Sequence, residues 1–283
     1  LAIKAEVDAS EIAPFEDNTV IEPLLDPSLK LKGSKVKSTA VNESLGYTEW
    51  TLKNGIKVVV RPSTLKADEV QIQAVAKGGQ SLLADDMCFT AEMLAMVMGK
   101  SGISDLSSTE LAKQLTGKSA YAQLSVGQYE HYASAGGSPK DIETILQLLY
   151  LRFTDPRFNE DDFNTVLGQY ISYVENIKTN PDYTASSEQM KSLYGNNPRR
   201  QQISTEVLKS INFDRVAPIY RQLLANAADF TVYIVGNVDL ATLKPLVEKY
   251  IGALPTSKKV EYAVVDDGVR MAQGVVTNDF RTA

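Results

Sequence analysis

Beside its carboxylates, this 283-residue chain offers one histidine and one cysteine for metal or nucleophilic chemistry. A hydrolytic zinc site needs several nitrogen, sulfur or carboxylate ligands converging on one ion. His131 has no second histidine to join it, and it lies in the strand-like run Gln128-Tyr-Glu-His-Tyr132. Cys88 sits between Met87 and Phe89 in an apolar helical pattern, with no histidine near it in sequence. It reads as a small buried hydrophobe rather than a nucleophile. A lone cysteine allows no intrachain disulfide and so assigns no redox compartment. There is no G-x-S-x-G elbow, and the pairs Gly78-Gly79 and Gly136-Gly137 lack the spacing of a phosphate or dinucleotide loop. No residue qualifies from sequence as catalytic or as a metal ligand.

Four residues remain as candidates for binding. Arg199 and Arg200 form a small basic loop, Asn197-Pro-Arg-Arg200, suited to acidic groups on a substrate or a neighbouring domain and equally to plain solvation. Glu130 and His131, flanked by Tyr129 and Tyr132, could touch a peptide from an edge strand; the other reading is an ordinary strand histidine. Glu92, the only acid between Glu92 and Met98, and Glu175 lie on two strongly helical segments, and a solvated helix face accounts for both.

The elements that must hold these residues follow from periodicity. Tyr47–Leu52 and Ile56–Val60 flank Lys53-Asn-Gly55, a strong hairpin signal. Val70–Ala76 alternates as a third strand ended by Gly78-Gly79. Asp85–Lys100 places Met87, Ala91, Leu94, Val97 and Met98 on one helical stripe. A short helix follows at Thr109–Leu115, capped by Ser107 or Ser108. Gly117–Tyr121 and Gln123–Ala135 read as paired strands with Gly136-Gly137 as a turn, and Pro139 opens the next helix. Asn159–Asn176 is helical, with Phe163, Val166, Leu167, Tyr170, Tyr173 and Val174 on its buried side, and Asn180-Pro181 breaks it before Thr184–Leu193. Phe230, Val232, Ile234 and Val235 make a strand stopped by Gly236-Asn237, and Asp239 caps a helix ending near Gly252 and Pro255. This order predicts an α+β fold, one mostly antiparallel sheet with helices packed on one face. The domain is expected over 47–259, with an interdomain linker over 1–46, where Pro14, Pro23 and Pro27 interrupt any helix, and the start of another linker over 260–283.

Composition is that of an ordinary globular domain, 43% hydrophobic and 23% charged, so a substantial core is expected. A net charge of −6 gives no overall electrostatic footprint for nucleic acid, although a local basic patch stays possible. No run approaches the roughly 20 apolar residues of a membrane-spanning helix. The start at Leu1 and the end at Arg281-Thr-Ala283 read as cuts in a longer polypeptide.

Val235-Gly-Asn-Val-Asp239 followed by Tyr250-Ile-Gly-Ala-Leu-Pro255 resembles the close of a homology domain in the pitrilysin/insulinase metallopeptidases, where the strand ends "VVGDVD" and the helix ends "YFGDLP". Asn54-Gly-Ile-Lys-Val-Val-Val60 is similar to that family's opening strand, "NGLRVVL". The resemblance implies a two-bowl peptidase around a closed chamber, with zinc held only by the first domain through an H-x-x-E-H motif and a Glu on a later helix. The helix matching in order offers Glu92 to Met98, mostly Met, Leu, Ala and Val, and the later helix offers Glu175 among Gln169, Tyr170 and Tyr173. The implied role is therefore a catalytically inactive third domain, needing no cofactor of its own, that shapes the chamber and contacts peptide substrates and the other homology domains. Glu92 then reads either as solvated or as a remnant polar contact in the chamber wall. Two alternatives are a structural subunit resembling processing-peptidase core proteins and a partner chain completing the chamber of a separately encoded zinc peptidase. The same resemblance favours a periplasmic location, with a cytoplasmic one as the second choice.

Overall fold

The computed structural model of the chain describes residues 23–26, 28–257, 263–274 and 277. Residues 1–22 of the expected first linker, and most of the expected second linker beyond 263–274, lie outside the described residues.

Among the described residues, seven strands form one sheet in the order β1-β2-β3-β7-β4-β6-β5. They are β1 Val36–Asn42, β2 Tyr47–Leu52, β3 Lys57–Pro62, β4 Val70–Lys77, β5 Ala120–Val126, β6 Glu130–Gly137 and β7 Thr231–Gly236. Only the β3–β7 pair is parallel. Alternation decides which face is covered. Thr48, Trp50 and Leu52 of β2, Val58 and Val60 of β3, and Val232 and Ile234 of β7 are buried, whereas Tyr233 and Val235 point to the open face. The Asn54-Gly55 turn joins β2 to β3, with Gly55 at φ 94°, a conformation that a side chain would resist.

Among the described residues the α-helices are α1 Cys88–Ser101, α2 Ser108–Gln114, α3 Ile142–Thr154, α4 Glu160–Ile177, α5 Pro181–Tyr194, α6 Thr205–Lys209, α7 Val216–Leu223 and α8 Leu240–Tyr250. Their starts carry the chemistry expected of caps. Ser107 and Glu110 form a reciprocal capping box, Asn159 accepts from the Asp162 N–H, and Asp239 accepts from the Thr242 N–H at 2.9 Å. Helices α1 and α3 lie on β5, α3 also on β6, and α4 packs over α1 as an outer layer. The α+β architecture with one mostly antiparallel sheet is as expected.

Three local readings differ. The sheet begins at Val36, inside the stretch read as linker. Strand β1 is the outermost strand and buries almost nothing, so its sequence shows no apolar period and its backbone ladder to β2 is what places it. The turn between β5 and β6 falls at Gly127–Tyr129, while Gly136 and Gly137 belong to β6. A Cβ on Gly136 would lie 2.7 Å from the Val70 carbonyl oxygen, so glycine there permits close approach of strands rather than a turn. Finally, Asn180-Pro181 starts α5 instead of preceding it, because proline fits the first turn and the Asn180 side chain accepts from the Asp182 N–H.

Arg152, on α3, is the one arginine sealed in the core among the described residues, 6% exposed. Its Nε donates to the Ala122 carbonyl at 3.0 Å, and its Nη1 donates to the carbonyls of Met98 at 3.1 Å and Gly102 at 2.7 Å. Burial draws its pKa down to about 10, which still leaves it protonated at neutral pH. The charge thus sits at the C-terminal end of α1, where the helix dipole and unpaired carbonyls favour a cation.

Candidate functional site

Helix α1 puts Cys88, Ala91, Met93, Leu94, Val97 and Met98 into the core, each no more than 3% exposed. The Cys88 thiol is free, and its pKa is raised by burial, which keeps it protonated and inert. Phe89 and Glu92 face outward instead, into a cleft of about 320 Å³ between α1, α4, α5 and residues 199–203. Tyr170, Tyr173, Val174 and Ile177 of α4 form the opposite wall, Met190 of α5 one end, and Arg199 to Ile203 the rim. The Tyr170 and Tyr173 rings lie 6.1 Å apart at 33°.

Glu92 has an exposed surface, yet protein atoms crowd its carboxylate. Burial raises its pKa; the hydrogen bond from Gln80 Nε2 at 3.2 Å and the charge of Arg200 offset this in part. Arg200 acts on Glu92 through space with no ion pair between them. Arg199 is committed elsewhere. Its Nε meets Asp85 at 2.6 Å, and its Nη1 and Nη2 donate to the carbonyls of Gln80 at 2.9 Å and Leu83 at 2.6 Å. It therefore clamps the 79–87 segment that leads into α1. Arg215, paired with Asp86 at 2.6 Å, and Gln222, donating to the Leu82 carbonyl, secure the same segment.

The other sequence candidates divide between two faces of β6. His131 points inward and is 0% exposed. Its Nδ1 accepts from the Gly79 N–H at 3.3 Å, its ring stands edge-on to Phe230 at 5.3 Å, and Nε2 has no hydrogen-bond partner. Burial lowers its pKa to about 4, so the ring is neutral at ordinary pH. A peptide cannot reach it without opening the core. Glu130 points outward, accepts from the Tyr132 hydroxyl at 2.7 Å, and borders a shallow concavity with Lys77, Tyr129 and Val264. Glu175 pairs with Lys178 at 2.7 Å on the exposed side of α4.

The fold thus brings Glu92, Arg199 and Arg200 to one cleft and keeps Glu130 and His131 away from it. Tyr173, read from sequence as buried, is 56% exposed, and with Phe89 and Tyr170 it belongs to that cleft, where the buried Gln80 donates to Glu92. A helical stripe wider than the core requires was the available signal: α4 carries eight large apolar or aromatic residues, and Tyr173 is the one left exposed.

Zinc does not fit these residues. The helix window supplies one carboxylate and core hydrocarbons, the single imidazole is committed to Gly79 inside the sheet layer, and Glu175 is turned to solvent. Among the described residues no group of three histidine, cysteine, aspartate or glutamate side chains converges.

Comparison with known proteins agrees with the geometry. Residues 210–280 match the family described as Peptidase M16 inactive domain. The chain is 23% identical over 245 residues to the zinc protease PQQL-like protein of Arabidopsis thaliana, covering 86% of this chain and 23% of that one. It is 24% identical over 265 residues to the probable zinc protease PqqL of Escherichia coli K12, covering 91% and 27%. The crystal structure of the periplasmic protease PqqL from Escherichia coli superposes with a TM-score of 0.74 at 21% identity, over 96% of this chain and 29% of that one. The chain therefore spans about a quarter of the length of these relatives. Matched segment, relatives and fold thus point the same way: residues 210–280 are similar to the M16 domain described as inactive, and the chain as a whole is similar in sequence and fold to PqqL-type zinc proteases.

Proposed function

We propose that this chain is a catalytically silent, chamber-forming domain, third in order, of a larger zinc-dependent metalloendopeptidase that degrades peptides. The observation that carries the reading is the inward face of α1. Where an active domain of the family needs two imidazoles and a general base, this helix presents Met93, Leu94, Val97 and Met98 to the core. Zinc would be held by the first domain of the same polypeptide. The contribution of this domain to rate would be remote: it shapes the cavity, positions substrate and supports the closed state. Its partners would be the other homology domains and the peptide itself, and the periplasmic relative supports a periplasmic location.

The test is chelator-sensitive peptide hydrolysis by the complete polypeptide, with and without this domain, alongside elemental analysis of this chain alone. The expected result is zinc-dependent cleavage by the complete polypeptide, a large loss on deletion, and no stoichiometric zinc in this chain. One zinc per chain that survives dialysis, with cleavage by this chain alone, would overturn the reading.

A further inference from the structure

We infer that the cleft between α1, α4 and residues 199–203 binds a peptide segment by one large apolar or aromatic side chain, with a peptide amide held between Glu92 and Arg200. This deepens the proposed function and rests on it for the source of the peptide. The volume, about 320 Å³, suits a single side chain with its flanking backbone. Its walls combine rings and hydrocarbon from Phe89, Tyr170, Tyr173 and Met190 with a polar rim of Glu92, Arg200, Gln201 and Gln202. A wall of that kind at a protein surface, with Tyr173 56% exposed, is the surface an aromatic anchor covers best.

Charge chooses among occupants. Each nitrogen of Arg199 is already engaged, by Asp85 or by one of two carbonyls, and Glu92 as acceptor and Arg200 as donor line the cleft beside it. A cationic side chain is attracted by Glu92 but repelled by Arg200, and an anionic one meets the reverse. A neutral amide satisfies both, since its N–H donates to the Glu92 carboxylate and its carbonyl accepts from the Arg200 guanidinium. The arrangement thus selects an uncharged, apolar residue within a peptide over a Lys, Arg, Asp or Glu side chain.

The experiment photo-crosslinks the complete polypeptide with an end-blocked pentapeptide of alanines carrying benzoylphenylalanine at its centre. Labelled residues are mapped by mass spectrometry, and blocked competitors carry Phe, Ala, Lys or Glu at the central position. Labelling is expected at Phe89, Met190, on α4 between 170 and 177, and at 199–203. The Phe peptide should compete about tenfold better than the other three, equivalent to about 1.4 kcal/mol. Tyr173→Ala, at an exposed position with an unchanged urea midpoint, should weaken competition about three- to tenfold. Arg200→Gln should weaken it as well. Labelling elsewhere with none at the cleft, equal competition by all four peptides for the cleft label, or a silent Tyr173→Ala would each overturn the site. Hydrolysis separates the two claims. If the cleft is labelled while the polypeptide hydrolyses nothing, the proposed function falls and the site stands; if hydrolysis needs this domain while the cleft takes no label, the site falls alone.

Discussion

The two ends of α1 are held by the same kind of side chain in opposite surroundings. At the C-terminal end, Arg152 donates to the carbonyls of Met98, Gly102 and Ala122 inside the core. At the N-terminal lead, Arg199 donates to the carbonyls of Gln80 and Leu83 at the rim of a cleft and keeps Asp85 as a counter-ion. A guanidinium in the core has no water to fall back on, so its removal leaves orphaned carbonyls; one at the rim can be replaced by solvent. The comparison teaches where this helix is rigid and where it can adjust. Side-chain contacts to its two ends are what fasten it.

The largest expected effect follows at the buried end. Arg152→Met keeps most of the volume but leaves three carbonyls without their donor, and should cost about 3–5 kcal/mol of unfolding free energy in urea titration. A loss below about 1 kcal/mol would mean that water reaches these carbonyls, and the contrast between the two ends would disappear.

The lead of α1 is also fastened from inside, by the Gly79 N–H donating to His131 Nδ1. Gly79 is at φ 53°, and a Cβ there would lie 2.4 Å from the Gly127 carbonyl oxygen, so the contact depends on a bare backbone. With its folded pKa at about 4 against an ordinary 6.5, His131 costs nothing above pH 6.5. Below pH 6.5 the unfolded chain takes up a proton that the folded chain refuses, and stability falls until about pH 4, by roughly 3 kcal/mol from this group. Urea unfolding of His131→Gln against the parent chain across this window isolates the effect, because carboxylate contributions cancel in the difference. Parallel stability curves would show that the imidazole is hydrated and the inner fastening weak.

Legibility in the sequence followed the same division between core and rim. The apolar stripe on α1, the Asn54-Gly55 hairpin and the Asp239 cap were all readable, because burial period and capping chemistry are local. Strand β1 was not, since an edge strand exposed on both faces leaves no period to read. The count of one histidine is legible in the sequence at a glance, whereas the cleft is assembled from residues as far apart as Phe89 and Ile203, and no spacing rule joins them. Arg199 and Arg200 were picked out as a pair, but only the tertiary contacts reveal that the first is a clamp and the second faces the cleft. Glu130 and His131 were likewise grouped, although strand alternation sends neighbours to opposite faces of the sheet.

At the rim, Arg199→Ala should cost less than the core change, about 1–2 kcal/mol, because its side chain is 10% exposed and water can take over part of its hydrogen bonding. Hydrogen exchange of the amides between Gly79 and Met87 should rise selectively while α3 and β5 stay protected. Equal loss of protection at both ends of α1 would mean that the helix responds as one rigid unit.

The smallest effect should come from Glu92, and its sign is opposite to that of His131. Its folded pKa is raised above 4.5, with burial the leading cause, so the ionised carboxylate is a mild liability near neutral pH. Acidification relieves that liability as pH falls through the folded pKa toward 4.5, so this group adds stability over part of the range in which His131 removes it. Glu92→Gln removes the charge and keeps an oxygen to accept from Gln80, and should stabilise the chain at pH 7 by a few tenths of a kcal/mol, a gain that vanishes on acidification. Because Glu92 lies among exposed surface, a small gain is the outcome consistent with a solvent-open rim, whereas a gain above about 2 kcal/mol would place its carboxylate in surroundings as dry as those of Arg152. A loss of stability would instead make Arg200 the dominant neighbour, with the Glu92–Arg200 pair already satisfied and no amide needed between them.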